Sequence, residues 1–187
     1  MIIKYLELFL KPKKFIEKHQ NISYRYALLF FAVPYFSLAI LYDAVIIFQN
    51  ALAVGYFEAI LTIVVYSLTA IIFPFLFSGL THLSAILLGT KKTHKETFLV
   101  STTALTVVLF YFALGIFASI ILMFTVPTFA PIIMGVLGFF AFVHCAVMLY
   151  LGFRQIHKFR WLKSIGGATL PFILLFMITF VLSNTIL

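Results

Sequence analysis

The chain has 187 residues, of which 64% are hydrophobic and only 10% are charged. Soluble domains are about half apolar and a quarter charged, so this composition excludes a water-soluble fold. The formal net charge of +8 would point to nucleic acid in a soluble protein, but in so apolar a chain it indicates Lys and Arg beside anionic lipid headgroups, and no nucleic-acid partner is expected.

Residues 1–23 predict an amphipathic lead-in that does not cross the membrane. Pro12 divides it into two short helices, of which the second runs to His19. Such helices can lie in the headgroup region or pack against the underside of a bundle, and the sequence leaves both alternatives open. On the first helix the apolar face consists of Ile2, Ile3, Leu6, Phe9 and Leu10, opposite Lys4, Glu7 and Lys11.

Five apolar runs follow, and each exceeds the roughly 20 residues that a transmembrane helix needs. The second contains Pro74, but a division there would leave a piece of only about 15 residues and would put the next lysines opposite the N-terminus. One long helix is therefore predicted. The sequence indicates an all-α polytopic membrane protein, a bundle of five transmembrane helices in one domain over residues 1–187. The predicted spans are 24–48, 57–88, 98–126, 132–153 and 164–187.

Every Lys and Arg falls on one side of this five-span arrangement. Six precede or begin the first span, three follow the second and four follow the fourth, which accounts for all 13. Because these residues are retained on the cytoplasmic face during insertion, the N-terminus is predicted inside and the C-terminus outside. The candidate lipid-binding or partner-binding surface on that face comprises Lys4, Lys11, Lys13, Lys14, Lys91, Lys92, Lys95, Arg154, Lys158 and Arg160.

Polar residues inside the apolar runs form a candidate intramembrane cluster. His82 and His144 lie at similar depths, about 10–13 Å from the inner loops, and hydroxyls of the third span could bond either imidazole. Ionisable groups at this depth are functional candidates, but a neutral histidine bonded to a hydroxyl also holds helices together, so both interpretations stay open. The members are Ser78, His82, Ser101, Thr102, Thr106 and His144.

No chemistry-bearing motif accompanies these histidines. No Asp or Glu lies at their depth to complete a proton relay or a metal site, and Cys145, the single cysteine, reads as a small buried residue. His19, His94 and His157 are expected to be solvated. The sequence holds no phosphate-binding loop and no hydrolase or metalloprotease signature, so we expect no catalytic residue, metal or cofactor.

Four short segments resemble the Yip (Ypt-interacting protein) domain family of five-span membrane proteins. They are Leu-Lys-Pro-Lys-Lys-Phe at 10–15, Gly-Leu-Thr-His-Leu-Ser-Ala-Ile-Leu-Leu-Gly at 79–89, Glu-Thr-Phe-Leu-Val-Ser at 96–101 and Gly-Phe-Arg-Gln-Ile-His at 152–157. Together they extend the resemblance over nearly the whole chain.

The resemblance implies an all-helical membrane protein without catalytic activity. Eukaryotic members act in vesicle traffic and associate with prenylated Rab-type GTPases, but this chain lacks their long polar tail before the first span, which argues against GTPase binding. It is more similar to the short archaeal and bacterial members, which implies the cell membrane. We expect it to organise or recruit membrane-protein partners, or copies of itself. The alternative is a small transporter or channel subunit for a proton, metal or small solute, using His82 and His144.

Overall fold

The computed structural model describes residues 2–19, 23–49, 56–125 and 129–186, and within these ranges all regular structure is helical. Two short helices precede five long ones, which confirms the all-α prediction and its short N-terminal lead-in. The helices are α1 (Ile2–Leu10), α2 (Pro12–His19), α3 (Tyr24–Gln49), α4 (Tyr56–Leu87), α5 (His94–Thr125), α6 (Ala130–Gln155) and α7 (Trp161–Ile186).

The five long helices are each apolar enough to cross a membrane. Their outer faces carry large apolar side chains such as Phe139, which is 64% exposed, and Phe176, which is 68% exposed. In water such surfaces would aggregate, whereas in a bilayer they contact lipid tails. The chain is thus a multi-pass membrane protein. As predicted, α4 continues through Pro74 as a single helix.

Helix α5 begins at His94, four residues before the predicted span, because a cap stabilises its first turn. A Glu96 carboxylate oxygen accepts the backbone N–H of Thr93 at 2.7 Å, and the other oxygen lies 3.4 Å from Lys92 Nζ. A carboxylate at the third helical position satisfies an N–H group that the helix leaves unpaired, and it interacts favourably with the helix dipole. A Thr-x-x-Glu sequence therefore sets the boundary that hydropathy alone misplaced.

The buried core lies mainly in the half of the bundle that carries the α4–α5 loop (88–93) and the α6–α7 loop (156–160), here called the basic end. Helix α5 is central and contacts α3, α4 and α6. Close approach of α5 and α6 depends on Gly152, since a Cβ there would overlap the methyl groups of the fully buried Val100. Without a hydrophobic driving force in lipid, such close packing and hydrogen bonds hold the helices together.

The N-terminal helices dock on the bundle, which decides between the two alternatives left open above for the residues whose side chains are described. Leu8 is fully buried, and Phe9 packs against Phe110 with ring centroids 4.3 Å apart. The Tyr5 hydroxyl donates to the carbonyl of Phe30 at 2.9 Å. Leu10, predicted on the apolar face, is 76% exposed. The side chains of Ile2, Ile3, Lys4 and Leu6 lie outside the described residues.

Candidate functional site

The two loops of the basic end are joined by side-chain contacts. Thr90 Oγ1 lies 2.7 Å from His157 Nδ1, so a hydrogen bond links the α4–α5 loop to the α6–α7 loop. Lys163, in the first turn of α7, donates from Nζ to the carbonyl of Leu88 at 3.0 Å. That carbonyl belongs to the end of α4, where backbone acceptors have no partner within the helix. The two loops therefore form one connected platform.

The turn after α4 places Thr90 for this contact. Gly89 has φ 84°, the left-handed conformation that glycine adopts without a Cβ penalty. The N–H of Gly89 donates to the carbonyl of Ile86, and the N–H of Thr90 donates to that of Ala85. This pair of bonds is the Schellman motif, which ends a helix and reverses the chain. The chain is thereby turned so that Thr90 reaches the α6–α7 loop.

A buried threonine connects two histidines from different elements. Thr97 Oγ1, on the first turns of α5, lies 3.0 Å from His82 Nδ1 on α4 and 3.2 Å from His157 Nε2. A hydroxyl has a single proton, so it donates to one ring and accepts an N–H from the other. The tautomers of the two imidazoles are therefore coupled. With Thr90, the four side chains form a continuous hydrogen-bonded chain from α4 to the loop surface.

His94 makes a second set of contacts beside the first. Its Nδ1 lies 3.1 Å from the Tyr24 hydroxyl on α3, and its Nε2 lies 3.2 Å from Ser78 Oγ on α4. The ring of His94 stands edge-on to that of His82, with centroids 5.3 Å apart. These contacts tie α3, α4 and α5 together at the basic end. Three imidazoles thus lie within one cluster, here called the histidine cluster: His82, His94 and His157.

Burial keeps His157 neutral. Its side chain is only 7% exposed, and loss of hydration lowers its pKa from 6.5 to about 4, although the Glu96 carboxylate opposes that change. A neutral ring offers one donor and one acceptor nitrogen, which fits its position between Thr90 and Thr97. Burial therefore favours an uncharged His157 at neutral pH, and the two hydroxyl contacts are compatible with that state.

Acidification is expected to destabilise the fold through His157. Between pH 6.5 and about 4 the unfolded chain binds a proton at this ring and the folded chain does not, so stability falls as the pH is lowered. The loss is at most about 1.4 kcal/mol per pH unit. Thermal unfolding of the purified protein in detergent between pH 7.5 and 4.5 measures it. His157→Gln, which retains a side-chain hydrogen-bonding group, is expected to flatten the profile. An equally steep fall in that variant would assign the effect to another group.

The structure does not bring the predicted intramembrane cluster together. His144 contacts the Tyr111 hydroxyl at 3.2 Å. Tyr111 lies 14 residues along α5 from Thr97, the partner of His82, a rise of about 21 Å. The hydroxyls of Ser101, Thr102 and Thr106, suggested as histidine partners, donate to carbonyls of their own helix one turn back. Of the predicted hydroxyl groups, Ser78 contacts an imidazole, that of His94.

The expectation that His19, His94 and His157 are solvated was wrong. His19 and His157 are buried, and His94 is half-buried. Thr90, Thr97 and Tyr24 were missed altogether. The capping sequence at Thr93 and Glu96 could have revealed part of the cluster, because it starts α5 at His94 and puts Thr97 on the same face three residues later. Among the described residues, no three His, Cys, Asp or Glu side chains are arranged to hold a metal ion.

The predicted basic residues divide into two groups. One group surrounds a cavity at the platform: Lys91, Lys92, Lys158 and Arg160, joined by Lys163, which the candidate surface omitted. The other group is exposed elsewhere: Lys11, Lys13 and Lys14 on the lead-in, Lys95 on α5, and Arg154, whose guanidinium donates to Tyr150.

Comparison with known proteins identifies one relationship. Residues 6–183 match the family profile Yip1, described as the Yip1 domain. No protein of curated function and no solved structure shows significant similarity to the chain.

Proposed function

The chain belongs to the Yip1 domain family, and we propose that it is a non-enzymatic protein of the cell membrane that organises or recruits partner proteins at the cytoplasmic face. Its N-terminus and both loops of the basic end would face the cytoplasm, and its C-terminus would face outside. The observation that carries this proposal is the concentration of all 13 Lys and Arg on one side of five spans.

The platform supports recruitment because it is held by the fold and presents charge. Thr90, His157 and Lys163 join the two loops, so the surface is ordered before any partner binds. Lys13 and Lys14 are exposed on α2, on a lead-in that the buried Leu8 and Phe15 attach to the bundle. A fixed basic surface of this kind attracts acidic surfaces of other proteins and of anionic lipids.

The transport alternative receives no comparable support. His82 and His144 were its proposed site, but their partners on α5 are separated by about 21 Å of helix. His82 belongs instead to a network of neutral donors and acceptors that links α4 to α5 and the α6–α7 loop. This is the arrangement expected of histidines that hold helices together.

Photo-crosslinking in native membranes tests the recruitment proposal. A photoreactive residue at position 14 or position 95, in place of Lys14 or Lys95, is expected to form a covalent adduct with a discrete protein partner. Because charge reversal repels an acidic partner, the double variant Lys11→Glu with Lys13→Glu is expected to reduce the yield of the adduct at position 14 at least about fivefold. A probe at Phe176, whose side chain is exposed on the apolar surface of α7, is the matched control and should give lipid adducts. Lipid adducts alone at all three positions would overturn recruitment, and adducts to copies of the chain alone would assign self-association instead.

A further inference from the structure

A cavity of about 560 Å³ opens at the platform between the α4–α5 loop, the α6–α7 loop and the first turn of α7. Its walls carry five cationic side chains and no acidic one. We call it the basic pocket. Its charged lining residues are Lys91, Lys92, Lys158, Arg160 and Lys163.

Two of these cations already have partners inside the protein. Lys92 lies 3.4 Å from a Glu96 carboxylate oxygen, and Lys163 donates to the Leu88 carbonyl. Within the described residues, no carboxylate lies within ion-pair distance of Lys91, Lys158 or Arg160, and all three are exposed. The pocket therefore keeps about three positive charges that no internal group neutralises.

The fold holds these charges in place against a local cost. Lys158 has φ 56°, a left-handed conformation that is unfavourable for a residue with a Cβ. The buried His157 before it and the bond from the Phe159 N–H to the Phe153 carbonyl, at 3.3 Å, close the loop around it. A non-glycine residue kept in this conformation beside a charged cavity is typical of binding sites.

An apolar surface continues directly from the rim of the pocket. Leu87, which precedes the α4–α5 loop, is 65% exposed, and Leu162, beside Lys163, is 64% exposed. Trp161, at the start of α7, is 57% exposed, and tryptophan is enriched at the headgroup level of membranes. The α4 and α7 helices contact each other. Charge and apolar surface therefore follow each other as headgroup and acyl chain do in a phospholipid.

We propose that the basic pocket binds the headgroup of an anionic phospholipid that carries two or more negative charges, with its acyl chains against the exposed apolar residues of α4 and α7. Phosphate oxygens would accept from Lys91, Lys158 and Arg160, which a single negative charge would leave partly unneutralised. This site rests on the proposed function and extends it, because the protein would bind a specific anionic lipid next to the surface that recruits partner proteins. It is tested on purified protein without any partner, so it stands or fails separately from recruitment.

The test measures lipid binding to the purified full chain in neutral detergent by native mass spectrometry. The probes are cardiolipin, with two phosphates, phosphatidylglycerol, with one, phosphatidylcholine, with no net charge, and inorganic pyrophosphate as the free anion. Cardiolipin is expected to bind most tightly. The double variant Lys158→Asn with Arg160→Gln is expected to lower the affinity for cardiolipin roughly 30-fold. Asn is chosen at position 158 because it tolerates the left-handed backbone there.

The matched control is Lys18→Gln with Arg25→Gln, which removes the same charge from exposed positions of α2 and α3 and is expected to change the affinity less than about threefold. If the double variant of the basic pocket fails to fold, the single variant Lys91→Gln is expected to lower the affinity for cardiolipin roughly fivefold. Equal losses in pocket and control variants would overturn the site in favour of general surface charge. If pyrophosphate bound as tightly as cardiolipin, the proposal of a lipid ligand would be overturned, and the pocket would instead bind a soluble anion.

Discussion

Replacing Gly152 by alanine is expected to destabilise the bundle by about 2–3 kcal/mol. The added Cβ would overlap both methyl groups of Val100, which is fully buried on α5. In an interior that is packed this tightly, an extra carbon atom forces the backbone to shift or side chains to adopt strained rotamers. The midpoint of thermal unfolding in detergent measures the loss.

Two controls make this result specific. Gly138→Ala, on the same helix with nothing within 4 Å of the added Cβ, is expected to be neutral or stabilising by up to about 1 kcal/mol, since alanine favours helix. Adding Val100→Ala to Gly152→Ala should recover part of the loss by removing the overlapping methyl groups. If Gly152→Ala unfolded at the same temperature as Gly138→Ala, the close approach of α5 and α6 would be contradicted.

Cysteine labelling is expected to give an all-or-none pattern across the membrane. In a Cys145→Ala background, which removes the one native thiol, cysteines at Lys91 and Arg160 should be shielded from an impermeant thiol reagent in intact cells. Cysteines at Gln49, the last residue of α3, and at Thr128, between the third and fourth predicted spans, should be labelled. The physical reason is that cations beside a span are retained on the cytoplasmic side during insertion.

Permeabilised cells provide the control for this labelling, because all four positions should then react. Labelling at Lys91 and Arg160 but not at the other two would reverse the proposed orientation. Labelling at both Gln49 and Lys91 in intact cells would contradict the single span, α4, that is predicted between them.

The transmembrane spans were predictable because they depend on the hydropathy and charge of the individual residues along the chain. Apolar length fixes how far a helix can cross, and the continuity of α4 through Pro74 followed from length and charge together. The starts of α5 and α7 were placed too late, since polar first turns such as His94 to Thr97 lower the local hydropathy although a cap makes them helical.

The histidine cluster was not predictable in the same way. Thr90 and His157 are 67 positions apart in the sequence, and their contact depends on which faces of α4, α5 and α6 meet. Neighbouring lysines made His94 and His157 look like solvated loop residues, but the loops fold inward at the basic end. Conversely, His144 shared small-residue surroundings with His82, yet α5 separates their partners, Tyr111 and Thr97.

The docking of the N-terminal helices has a consequence for the order of events during synthesis. Helix α1 is made before the helices that it contacts: Phe9 packs against Phe110 and stands edge-on to His144, which are made about 100 and 135 residues later. Until those residues are inserted, Tyr5 can contact Phe30 on α3, but Phe9 lacks its partner rings and can lie at the bilayer surface instead. The insertion of α6 is therefore the step after which α1 can first make both of these contacts.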